Sequence, residues 1–295
     1  MGAEAREVTV LAQGLGFTEG PVVIGDDVVV TCADQRRICR VDPSGEVTEL
    51  TVVEGGINGL TLGPGGVLYG AHLWGAHPAP PGPPSTGGVV AWDEREGLRW
   101  VSRDPVSPND LCFGPDGLLY VTDPTRPFRT HGGNDARLWR MDVADTVPAQ
   151  LLASLDWFAN GIAFGPADDV VYVAATDRAQ ILRLPLTGSG LGAAEVAVQL
   201  ERGVPDGFAF DTAGNLVVAC VSLDPAIPGS IQTWSPDGAL LDVFEPGSAK
   251  LTNCALTEDG FLFVTASDAG AVLRISGWGS AGLPLHPYRT GTGRP

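Results

Sequence analysis

The chain has 295 residues, with 44% hydrophobic and 18% charged side chains, and this excludes an intrinsically disordered protein. Its formal net charge of −17 would repel phosphate backbones and anionic lipid, which argues against nucleic acid and membrane surfaces as partners and favours cations and small molecules. No apolar run is long enough to span a bilayer, the first residues lack an apolar signal core, and five cysteines without a CxxC pair make no disulfide framework, so a cytoplasmic protein with free, mostly buried thiols is expected.

Along the chain, 40 glycines and 24 prolines fall in short clusters between apolar stretches, the pattern of many short strands joined by tight turns. The first predicted strand is Arg6 to Leu11. A phrase then recurs six times: a polar anchor, usually Gly, an apolar stretch, a tight turn and a second apolar strand. The copies begin Glu19-Gly20-Pro21, Asn58-Gly59-Leu60, Asn109-Asp110-Leu111, Asn160-Gly161-Ile162, Asp206-Gly207-Phe208 and Asn253-Cys254-Ala255, at spacings of 39, 51, 51, 46 and 47 residues. That period fits four-stranded propeller blades. In the third copy the strands are Asp110 to Phe113, Leu118 to Thr122, Arg137 to Asp142 and a segment near Gln150 to Ser154. Turns such as GPDG, GPGG, TEDG and DTAG have tight-hairpin chemistry, and no sustained 3.6-residue period predicts helix.

The sixth copy supplies only three strands, Ala255 to Thr257, Phe261 to Ala266 and Ala271 to Ile275. The N-terminal strand is therefore expected to complete the last blade and close the ring, which removes both open sheet edges. The fold predicted is an all-β, six-bladed propeller, one domain over residues 1–295, with a coil-like tail over 277–295.

Strand A of each blade lies innermost, so the six anchors should gather at one end of the channel. Long B-to-C loops over residues 72–87 and 123–136 should wall the same face. Glu19, Asn58, Asn109, Asn160, Asp206 and Asn253 are all oxygen donors. One Asn or Asp entering a strand reads as an Asx turn; six of them, two carrying charge into a confined channel, point to a hard divalent cation. Calcium fits best; magnesium or manganese fits less well, and zinc would want nitrogen or sulfur. Asp110 follows a channel residue, and strand alternation turns it toward blade packing. Asp123, Asp177 and Asp268 recur at the ends of B strands, the mark of a shared turn-stabilising role; His72 takes that place in the second copy.

The phrases Glu19-Gly20-Pro21, Pro108-Asn109-Asp110 with Tyr120-Val121-Thr122-Asp123-Pro124, Asn160-Gly161 and Pro205-Asp206-Gly207 resemble, in this order and blade spacing, the senescence marker protein/gluconolactonase (regucalcin-like) family. Its distant relatives are diisopropylfluorophosphatase and paraoxonase. The resemblance implies a metal-dependent hydrolase of lactones or related esters, with Glu19, Asn160 and Asp206 as ligands of a divalent cation. Asn109 becomes a fourth ligand or a substrate contact, and Asp206 a general base or direct nucleophile. Sugar-lactone members carry an Arg two residues before the third anchor; Ser107 stands there, so gluconolactone does not carry over as substrate. Asn58, Ser107 and Asn253 at the mouth, and His72, Trp74 and Arg126 on the loops, are the candidate substrate contacts. A propeller recruited to cyclisation or isomerisation, or a non-catalytic binding propeller, are the competing readings.

Overall fold

The computed structural model describes residues 5–73, 87–125, 128, 134–144, 148–188 and 190–286. Its strands form six antiparallel sheets arranged as the blades of a propeller. The innermost strands are Thr18–Ile24, Ile57–Leu62, Leu111–Phe113, Ala159–Phe164, Val204–Phe210 and Leu251–Leu256. Each is followed by three more strands running outward; the fourth blade adds a two-residue strand, Gly190–Leu191. Among the described residues the only helical segments are two three-residue 3-10 turns, Pro64–Gly66 and Thr176–Arg178, and no helix is long and apolar enough to cross a membrane.

Glu7–Ala12 is the outermost strand of the sixth blade, pairing antiparallel with Ala271–Ser276 from Glu7 opposite Ser276 to Ala12 opposite Val272. Ring closure therefore falls where the short sixth copy predicted it. Leu11, Ala12 and Leu15 pack with Val28, Val30 and Phe263, which spans the junction of the sixth and first blades. The other apolar clusters likewise fill the layers between blades. One gathers Tyr120, Leu138, Phe164, Val171 and Leu182; another gathers Ile231, Leu251, Val264 and Ile275. Alternation explains this: residues two apart on a strand share a face, and each face meets the neighbouring blade. All five cysteines are free; Cys32, Cys39, Cys220 and Cys254 are buried core residues and Cys112 is half-buried.

The predicted tail is not simply surface coil. Trp278 is buried with the Arg6 guanidinium 4.1 Å from its ring, and Leu283 donates its amide to the Phe210 carbonyl. Residues 287–295 lie outside the described residues.

Candidate active site at the channel mouth

Each inner strand carries its anchor across a register shift. The pairing with the second strand slips by one residue between Glu19 and Val22, Ile57 and Leu60, Ala159 and Ile162, Pro205 and Phe208, and Leu251 and Asn253. In the third blade, Asn109 donates its amide to the Thr122 carbonyl while Asp110 accepts from the Thr122 amide, so two residues again face one. Bulges re-aim side chains, and here they turn the anchors to the mouth. Threonines hold the turned backbones from the preceding blade: Thr31 donates to the Asn58 carbonyl at 2.8 Å, Thr122 to Asn160 at 2.8 Å, Thr176 to Pro205 at 2.9 Å, and Thr252 to Thr18 at 2.9 Å.

The anchors floor a cavity of about 280 Å³ lined by Glu19, Asn58, Asn109, Asn160, Asp206 and Thr176, with Ser107 and a set of apolar residues above. Glu19 is 2% exposed, and its Oε2 accepts from the Gly20 amide at 2.9 Å and Asn253 Nδ2 at 3.1 Å. Asn58 Nδ2 donates to the Asn109 carbonyl at 3.0 Å, and Asn160 Nδ2 to Thr176 Oγ at 3.2 Å. Asn109 Oδ1 is buried with no hydrogen-bond partner.

Asn253 sits one step below this ring. The bulge spans Leu251 to Asn253, so Thr252 is the true counterpart of the anchors, and Asn253 lies over Gly207. A Cβ on Gly207 would come within 2.1 Å of the Asn253 amide. That clash is why glycine follows the anchor there. Gly59 is in the same position under Asp110, whose Oδ1 would meet its Cβ at 2.2 Å. Asp110 therefore packs on Gly59 of the neighbouring blade, as alternation predicts, and its Oδ1 accepts a structural bond from the Leu111 amide at 2.8 Å; its charge is still felt by the Glu19 and Asp206 carboxyls.

Three acidic side chains close together in a dry place resist ionisation. Burial, then repulsion from Asp110, raises Glu19 to about 8. Burial raises Asp110 to about 7. Burial, with Glu19 and Asp110 behind it, lifts Asp206 well above the usual carboxylate range. Among the described residues no trio of His, Cys, Asp or Glu converges as a metal site. The floor is instead an amide-rich oxygen set, with two carboxylates of high proton affinity and one unpartnered buried amide oxygen. Such a donor set fits a hard cation such as calcium.

The B-strand aspartates brace the corners entering each inner strand. Asp34 accepts the Phe17 amide at 2.8 Å; Asp177 accepts Phe158 at 2.9 Å; Asp268 accepts Ala249 and Lys250 at 3.0 and 3.1 Å. Asp123 accepts Val106 at 3.0 Å, Ser107 at 2.8 Å and the Trp139 indole at 3.0 Å. His72 does the corresponding work in the second blade, its Nε2 against the Glu54 carbonyl. His72 is therefore not brought to the mouth. It borders a separate groove with Trp100 and Arg103, and burial holds its imidazole below its ordinary pKa. Trp74, Arg126 and most of both long loops lie outside the described residues.

Sequence reasoning missed Thr176 and the apolar wall. Phe17, Ser107, Phe158 and Val204 each stand two residues before an anchor and line the cavity. That recurrence is present in the sequence, one residue per copy at the same offset from the anchor. Leu73, Pro124, Phe128, Val221 and Leu223 complete the wall, from B-strand ends and the loops beyond them.

Fold and mouth together define a six-bladed propeller with an oxygen-lined pocket on its axis. Residues 17–268 match the SMP-30/Gluconolactonase/LRE-like family, and the chain belongs to it. A gluconolactonase of Zymomonas mobilis is 27% identical, over 88% of this chain and 79% of that protein. The human adipocyte plasma membrane-associated protein is 28% identical over 57% of this chain, which spans 41% of that relative. The structure of a calcium-binding protein, regucalcin, from Agrobacterium tumefaciens superposes with a TM-score of 0.73 at 18% identity, over 92% of this chain and 93% of that one.

Proposed function

We propose that this propeller is a divalent-cation-dependent hydrolase of a lactone or related ester, with calcium as the cation. The observation that carries the reading is the cavity floor itself. Glu19, Asn109, Asn160 and Asp206 come from four blades to one small buried place, and Asn109 Oδ1 has no partner within the protein. A scaffold has no use for such an arrangement, because unpaired buried carboxyls and amides cost stability. The gluconolactonase relative supports the lactone, and the regucalcin neighbour supports calcium.

Glu19, Asn160 and Asp206 would hold the cation, with Asn109 as fourth ligand or as a donor to substrate. When bound, the cation would polarise the carbonyl oxygen and stabilise the negative charge that develops on it. Asp206 retains open surface toward the cavity, and as a carboxylate there it would accept a proton from the attacking water. That proton then passes to the alkoxide released as the ring opens. Direct attack by the Asp206 carboxylate is the alternative course. Glu19, with Oε2 taken by two donors, is a ligand rather than a base. The brace on Ser107 and the threonine bonds fix these groups before substrate arrives, so little reorganisation is left to the reaction.

Calorimetric titration of the chelator-treated protein with calcium, magnesium, manganese and zinc tests the proposal. One tight site preferring calcium, lost in Asp206→Ala, is expected. Absence of any saturable divalent site would overturn it.

A further inference from the structure

We propose that the substrate is a compact, largely apolar lactone or ester that carries its polar atoms at one end, rather than a polyhydroxylated sugar lactone. This rests on the hydrolase reading above and adds the chemistry of the substrate body.

The cup has two zones. Its oxygen donors are at the floor, where one carbonyl would lie. Above them the wall is Phe17, Leu73, Phe158, Val204, Val221 and Leu223, with Phe128 set edge-on to Phe158 at 5.2 Å between ring centroids. Ser107 brings a hydroxyl to this wall. No Lys, Arg or His lines the cup among the described residues. Arg103, the nearest cation in sequence to Ser107, lies 3.7 Å over the Trp100 ring in the separate groove. Lys250, which stands two residues before Thr252, is exposed and does not line the cup.

The backbones that carry two of the wall residues are held in place: the amides of Phe17 and Phe158 donate to Asp34 and Asp177. A polyol in this cup would leave buried hydroxyls without partners, and a missing polar partner discriminates strongly. An alkyl or aryl substituent would instead bury against the wall, gaining about fourfold in binding per methylene. The cavity, about 280 Å³, is at the small end of ligand pockets and limits that gain to short substituents.

Two assays on the full chain test this. The first compares kcat/KM, with calcium present, for γ-lactones bearing zero to five side-chain carbons and for gluconolactone. The second measures binding of the matching γ-lactams and of gluconolactam by calorimetry, with and without calcium, and so does not depend on turnover. We expect kcat/KM to rise about fourfold per carbon over the first few carbons. The alkyl lactams should bind at least tenfold tighter than gluconolactam, with a negative heat-capacity change. Leu223→Ser, at an exposed rim position, should weaken the best alkyl lactam several-fold. Ser107→Arg should move the gluconolactone-to-alkyl ratio up at least tenfold. If alkyl lactams bind as expected while no lactone is hydrolysed, the substrate class stands and the hydrolase reading falls. A preference for gluconolactone or gluconolactam overturns the inference, as does failure of both lactam types to bind or an unmoved ratio in Ser107→Arg.

Discussion

Asp123→Ala removes the most heavily used brace in the molecule. The Asp123 carboxylate is fully buried and accepts four donors: the Val106 and Ser107 amides, the Trp139 indole and, at 3.3 Å, the Thr125 amide. Alanine cannot replace any of these bonds, and water reaches the partly buried donors poorly. Hydrogen bonds to a charged acceptor contribute about 1.5–3 kcal/mol each; discounting for partial access and for the long Thr125 bond gives a loss of about 3–5 kcal/mol for the set. For a chain of this size that is a fall of about 5–8 °C in melting temperature. The damage should also reach the pocket. Ser107 is in the wall and Asn109, two residues on, is in the floor, so calcium affinity should fall although no proposed ligand has changed. Differential scanning calorimetry and calcium titration read the two effects. Asp123→Asn keeps one acceptor oxygen and should land between parent and alanine variant. If Asp123→Ala melts within about 2 °C of the parent with calcium affinity unchanged, the idea that these aspartates set the pocket is wrong.

Three further outcomes follow from the same geometry. Deleting residues 1–12 bares the strand Ala271–Ser276 as an open edge and should lower melting by about 10 °C or more with visible aggregation, read by light scattering during the melt. Chelator-treated protein should lose stability as pH climbs. Asp110 and Glu19 sit at about 7 and about 8, above their unfolded values, so their stabilising share is complete below about pH 4 and lost as pH rises through 7 and 8. Saturating calcium should flatten that slope between pH 6 and 9; melts across the range decide it. Glu19→Gln should raise the stability of the chelated protein at pH 9, where it removes a buried charge, yet abolish most of the stabilisation that calcium confers. A variant that is less stable than the parent without metal at that pH would count against the carboxyl cluster as the source of the calcium demand.

The repeat was legible because each blade needs its own turns and its own apolar faces, and these leave a period in the sequence. Ring closure was legible because the sixth copy lacked a strand and the N-terminus offered one. The floor residues Glu19, Asn58, Asn109, Asn160 and Asp206 were legible as one polar residue per copy. Asn253 was misplaced for a physical reason. Alternation assumes an unbroken pleat, and the bulge at the anchors breaks it, so Asn253 slid below the ring. His72 was a candidate pocket residue because it opens a long B-to-C connection, whereas its imidazole replaces a bracing aspartate. The apolar wall was hidden because its members come from four kinds of position: strand starts, strand ends, corners and loops. Only the three-dimensional ring brings Phe17, Phe158 and Leu223 around one cavity.

The account stands or falls on whether the oxygen floor works through a bound divalent cation to open a lactone ring. The direct measurement is the rate of hydrolysis of a short alkyl γ-lactone by the purified chain, taken before chelation, after removal of divalent ions, and after calcium is restored. The account predicts a measurable rate that falls to the uncatalysed background on chelation and returns with calcium. A rate that persists unchanged through chelation would contradict it.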